Sequence, residues 1–382
     1  MFLQNTAVTL SLGAVTIAPA VGYEVIFADN STGMISTAGG TITTTNAPAL
    51  YISGPLSRTP IDLTLTAINV NGGANGIYLT LTSGPGLTVT GSGTPGSGGT
   101  IQNLTDAGIL LSQVGNMSFL NMVIQNTAGN GIQGEEVTNF ALTNSTIANT
   151  GSNPDNANIR FYRDTGPPEV QVAGTVTITG NTLSSPFARN IDIGNPTGTI
   201  TNLVISNNVL TNTAGEGIRI RALGPSPLPA KILRATIDNN QITTSNATGL
   251  LVDCYNDAPG GTPEVRCGMP GSGTEVFRIT NNVISGAGPG AALEVGLSAI
   301  ALGATRANFH IAGNEILHTT RDALYHQATG AAEVTTTITG NTIVANNARR
   351  RGVRQRAQPQ WQRHCTAERH QRLRQLQPAV TA

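Results

Sequence analysis

Charge is what this chain has least of. Of its 382 residues 11% are charged, a single one is lysine (Lys231), 4% are aromatic and three are cysteine. Helices that face water need charged or polar faces, so this scarcity argues against a helical bundle and a coiled coil. It argues equally against a nucleic-acid binder, which needs a basic face. No uninterrupted apolar run reaches the ~18 residues of a membrane helix, so no membrane span is expected. What is abundant is glycine (45), threonine (52) and asparagine (35), beside 39% hydrophobic residues. That is enough apolar material to fill a core, and it excludes a disordered polar tail.

The formal net charge of zero conceals two populations. Residues 1–347 carry 12 Lys+Arg against 20 Asp+Glu, whereas residues 348–382 carry nine Arg and one acid, Glu368. The tail also holds the one tryptophan, Trp361, and shares no periodicity with what precedes it. A basic arm for an anionic surface is one reading. The preferred one is an out-of-frame translation that interrupts a regular repeat, with 348–382 disordered. At the other end, residues 1–25 have no basic segment and alternate like strands instead of forming a secretory signal. Together the two ends suggest a fragment of a longer reading frame.

Self-comparison is the informative step. Six segments fit Ile-x-x-Asn-x-(Ile/Leu), starting at Ile178, Ile205, Ile237, Ile279, Ile311 and Ile338; two earlier ones, from Phe119 and Leu142, fit with the asparagine replaced. Successive starts lie 23, 36, 27, 32, 42, 32 and 27 residues apart. About thirteen residues into each unit comes a second apolar pair, such as Ile191/Ile193, Ile218/Ile220 and Leu250/Val252. Short period-2 segments between Gly, Asn and Thr turns cannot bury a face alone. Stacked coil upon coil at about 4.8 Å they can. The units therefore predict an all-β parallel β-helix solenoid of about ten coils over residues 1–347, with 1–48 a less regular start and right-handed by default. A β-sandwich would explain the alternation but not one asparagine at one offset. Asn181, Asn208, Asn240, Asn282, Asn314 and Asn341 should form an amide ladder at a corner, since Asn both donates and accepts and tolerates left-handed backbone angles.

The stretch 101–345, with segments such as GSGGTIQNLTDAGILL and LTNSTIANTGSNPDNANIRFY, resembles the right-handed β-helix repeat modules of long bacterial secreted and surface proteins, of pectate-lyase-like fold. The resemblance implies the fold. It does not imply one activity, because adhesins, phage tailspikes, polysaccharide lyases and glycosidases share this scaffold.

Chemistry is sought along one outward row: Arg160, Asp192, Arg219, Leu251, Glu294 and Tyr325, with Arg221 and Asp253 one outward position on and Arg163 and Asp164 near the first coil. One reading is a carbohydrate-binding groove, with Arg219 or Arg221 on uronate carboxylates and Asp253 or Glu294 as an acid, base or calcium ligand. The plainer reading is a ladder of surface ion pairs. No catalytic motif transfers residue by residue, no metal-binding spacing is present, and no cofactor is expected. Cys254 and Cys267 bracket a 12-residue stretch, YNDAPGGTPEVR, inside the longest insertion, 253–275, and a disulfide between them would staple a loop off the sheet edge; free thiols are the alternative. A disulfide would imply an oxidising compartment, hence a secreted or cell-surface location. His326 falls at an inward position. Three functions remain open: a non-catalytic adhesin- or stalk-like module contacting polysaccharide or a host or neighbouring cell surface; a polysaccharide lyase or glycosidase acting along the groove; and a fragment with no function of its own. With no polar cap evident at either end, end-to-end self-association through the last coil, 338–345, is expected.

Overall fold

The computed structural model describes residues 1–18, 21–162, 170–224, 229–244, 247–256, 264–286 and 293–344, and the backbone of 353–357. The chain winds into a three-walled parallel β-helix in which every named strand pairing is parallel. The first wall is a twelve-stranded sheet running from Val15–Ile17 to Thr342–Val344. The second and third walls merge into one larger sheet. They do so because strands such as Ile109–Leu120 and Ile132–Thr143 bend round the corner between them.

The register explains why these residues form these strands. On the third wall Ile178, Ile205, Ile237, Ile279, Ile311 and Ile338 follow one another rung by rung. On the second wall Ile191, Ile218, Leu250, Leu297 and Leu324 do the same. The inward positions of all three walls meet in a single dry column, from Val25 to Leu324, in which most side chains are fully buried. Each β-branched residue thus packs on its own kind above and below, which suits a pleated buried surface. Phe119, Phe140 and Phe161 pack ring against ring within this column, at 6.2 and 4.8 Å between centroids.

Twelve rungs replace the expected ten or so, because residues 1–48 already supply strands to all three walls: Leu10–Leu12, Val15–Ile17, Ile26–Asp29, Ile35–Ala38 and Gly40–Thr45. These early rungs lack the asparagine motif, so their regularity is silent in the sequence. Within the basic tail, Val353–Ala357 lies parallel to Thr319–Thr329, with Val353 opposite Leu324. The rest of 348–382 falls outside the described residues, as do Arg163 and Asp164.

Candidate functional site: the outer face of the second wall

The corner between the third and first walls holds the amide ladder. Asn208 donates from its backbone N and its Nδ2 to Asn240 Oδ1, at 3.0 and 2.9 Å, and from Nδ2 to the Ile178 carbonyl at 2.8 Å. Asn181, Asn240, Asn282 and Asn314 repeat the pattern toward Asn208, Asn282, Asn314 and Asn341. Ser145 continues it upward by donating its backbone N to Asn181 Oδ1. The left-handed backbone sits one residue earlier than expected, at Asn207, Asn239 and Asn281 and at Gly180, Gly313 and Gly340. The ladder asparagines are therefore selected for their amides, and the turn itself falls to the residue before each of them.

On the second wall, alternation turns Ile191 and Ile193 inward and Asp192 and Gly194 outward, and the next rungs follow in register. Arg160, Asp192, Arg219, Leu251, Ser298 and Tyr325 form one outward row. Gly194, Arg221, Asp253, Ile300 and Gln327 form the next. Glu294 does not belong to this row. The strand there is Leu293–Gly303, and Leu297, not Leu293, stands beneath Leu250, which places Ser298 where Glu294 was expected. Glu294 instead accepts an ion-pair bond from Arg321 at an exposed edge.

The centre of the face is an ion network. Arg219 grips Asp192 with two parallel bonds, Nε to Oδ1 at 2.8 Å and Nη2 to Oδ2 at 2.6 Å. Both partners are buried although they point outward, Asp192 to 1% exposure and Arg219 to 9%. Arg189 approaches Asp192 at 4.0 Å and bonds Glu216 at 2.6 Å. Burial works against the Arg219 charge, yet the Asp192 bonds outweigh it and hold the guanidinium above its ordinary value. Burial likewise opposes ionised Glu216, but Arg189 and a backbone N–H prevail and keep that carboxyl below the usual range.

Tyr162 lies across this network and was not singled out from the sequence. The guanidinium carbon of Arg221 stands 4.1 Å from its ring centroid and that of Arg219 5.1 Å, within cation–π range. Gly194 makes the space: a Cβ there would come within 2.3 Å of Tyr162 Cδ2. The available signal was the pair Phe161–Tyr162, one ring inward and the next outward, facing a glycine one rung on.

Arg221 and Asp253 occupy adjacent rungs of the second row and differ from the matched pair beside them. Among the described residues they make no ion pair, and Arg221 Nε and Asp253 Oδ1 are buried without a hydrogen-bond partner. Burial pushes the Asp253 carboxyl above the usual carboxylate range, and Arg221 and Arg219 only partly offset it. Burial also lowers Arg221, with repulsion from Arg219 adding to it. Arg160 Nη1 bonds the Asp155 carbonyl, and the Tyr325 hydroxyl donates to Gln327 on its own strand.

Cys254 and Cys267 are joined by a disulfide, with Cα atoms 6.4 Å apart. Its cysteines lie inside the column, and residues 257–263 between them fall outside the described residues. Both cysteines are fully buried, and the bond ties Leu250–Asn256 on the second wall to Val265–Cys267 on the third. His326 also points inward, with Nδ1 2.9 Å from the Ala299 carbonyl and Nε2 3.1 Å from Thr336 Oγ1. Among the described residues no three His, Cys, Asp or Glu side chains gather as a metal site, and no helix is long and apolar enough to cross a membrane.

No curated protein and no solved structure matches the chain. Residues 75–259, which include the ion network, match the family model described as a right handed beta helix region. With its parallel walls and stacked rungs, the chain is a right-handed parallel β-helix repeat module.

Proposed function

We propose that the chain is a non-catalytic secreted or cell-surface module, a stalk or adhesin-like spacer that contacts carbohydrate through the outer face of its second wall. The observation that carries this reading is the state of the acids. Asp192 is gripped by Arg219, Glu216 by Arg189, and Glu294 by Arg321. A carboxylate fixed in charge-assisted bonds is a poor proton shuttle, since general acid–base work needs a group that exchanges its proton near the working pH. The disulfide across the interior supports an oxidising location outside the cytoplasm.

One observation favours a second reading. Asp253, with its upward shift beside two arginines, has the profile of a functional carboxyl, and a lyase or glycosidase acting on an acidic polysaccharide would use it. Incubation of the purified chain with polygalacturonate and alginate decides between them. No release of unsaturated or reducing ends above buffer is expected. Steady release that Asp253→Asn abolishes would overturn the non-catalytic reading.

A further inference from the structure

We propose that the outer face of the first wall is a docking surface for a second copy of the chain, the two solenoids lying side by side with their long axes antiparallel. The pairing goes beyond carbohydrate contact and does not depend on it, since it leaves the second wall of each copy open.

Charge sets this wall apart. Among the described residues its twelve strands hold a single charged side chain, Glu315. The second wall carries the ion network, and the third wall turns Asp62, Asp238 and Arg278 outward. Residues 1–347 hold eight more acids than bases, so two copies repel unless they meet through a face that brings no carboxylates together. The first wall meets that condition. Its outward rows are made of small and β-branched side chains: Val123, Thr146, Thr182 and Val209 follow one another in register, with Ser184 and Thr211 beside them. Beyond Leu56 three large apolar side chains are exposed among the described residues, and two belong here, Val209 and, just past the strand Thr182–Pro186, Phe187. The edge shared with the third wall carries no insertion from Thr143 to Thr342: two residues, such as Asn207 and Asn208, make each crossing. A flat partner can therefore approach closely.

The face is also large enough. Twelve rungs at about 4.8 Å, with strands of about four residues at about 3.3 Å each, span about 55 by about 13 Å, or about 700 Å² a side. Stable interfaces bury ~800 Å² per partner. The row of residues fixes the orientation. A twofold axis lying between the copies and parallel to the strands reverses the order of rungs and keeps each row opposite itself. The middle of the wall falls between Thr146 and Thr182, and about that point the row reads Val, Thr, Thr, Val in either direction. Val123 then meets Val209 of the second copy, and Thr146 meets Thr182. Glu315, on the eleventh strand of the wall, faces the uncharged second strand, Gly40–Thr45. A parallel pair would instead bring both Glu315 side chains to one rung.

Sedimentation velocity of the full chain over a concentration series tests the face, and cysteine substitutions test the orientation. A monomer–dimer equilibrium is expected. Thr182→Lys, at an exposed position, sets like charges beside the twofold axis and should raise the dimer dissociation constant at least about tenfold. Thr175→Lys, exposed on the third wall, should leave it unchanged. Under mild oxidation a mixture of Val123→Cys and Val209→Cys chains should form a disulfide between those two positions, identified by its linked peptide, and neither variant alone should link to itself. A chain that stays monomeric throughout overturns the proposal and leaves the wall to another partner. A dimer that Thr182→Lys does not weaken, with melting unchanged, places the contact elsewhere and overturns it too. Self-linking of Val123→Cys alone overturns the antiparallel pairing. Should Thr182→Lys fail to fold, the mixed cysteine linkage still decides.

Discussion

The amide column at the corner and the charged column on the second wall arise from the same repeat, one residue per rung, yet they reach different states. In the amide column each Asn Oδ1 from Asn208 onward takes two bonds from the rung before, and each Nδ2 reaches a strand carbonyl, as at Asn240 and Ile205. A residue that both donates and accepts can repeat indefinitely and leave nothing unpaired. Charges cannot. Both Asp192 oxygens are taken by the Arg219 fork, so Arg221 must look elsewhere. Identity along a stack closes it, and alternation leaves remainders.

Removing one amide from the closed column should have the largest effect. Asn240→Ala strands the Asn208 donors and the Ile205 carbonyl in a buried corner. At about 1–3 kcal/mol for each buried unsatisfied group, a loss of roughly 4–6 kcal/mol is expected in urea unfolding. A loss no greater than that of a surface alanine would mean the column is ornamental. In the charged column Arg219→Gln comes next. It leaves Asp192 buried at 1% exposure without its counter-ion, and breaking such a pair costs about 3–5 kcal/mol; the lower end is expected here, since Arg189 stands 4.0 Å away.

Asp253→Asn should act least and in the opposite direction. Burial makes the folded chain hold the Asp253 proton more tightly than the unfolded chain does, so ionisation weakens the fold. The penalty is absent below about pH 4, where both states are protonated, and grows as pH rises through the raised value. The variant should therefore show a slightly higher denaturant midpoint at pH 7, and the gain should vanish in acid. A gain that persists in acid would assign it to packing instead.

The stacking was legible because an asparagine that recurs at one offset from an inward isoleucine must meet its own copy on the next rung, and the six ladder positions could be named from spacing alone. The outward row was legible wherever rung length stayed regular, from Arg160 to Leu251. It failed at Glu294 because counting from Ile279 assumes a constant distance to the second wall, and extra residues there push Leu297 into the inward place. Tyr162 escaped because a lone aromatic on a strand gives no period; its meaning depends on the glycine of the following rung. The disulfide was placed on a loop because sequence separation reports the length of the chain between two cysteines and not the wall each one faces. Residues 1–48 looked irregular for a related reason: the corner before the first wall closes there through glycine, as at Gly39 and Gly40, with φ of 125° and 98°, and so lacks the asparagine that marks later ones.

The corner column also has an arrow. Each side-chain oxygen accepts from its predecessor, from Asn181 through Asn341, and no amide in the series is reversed. Every joint between Asn181 and Asn341 is thus chemically the same joint, whatever lies between two asparagines. Whole units can then be duplicated or deleted by recombination and still meet a matching neighbour on either side. The molecule's reach is a quantity that heredity can edit in steps of one rung, leaving the interior unrewritten.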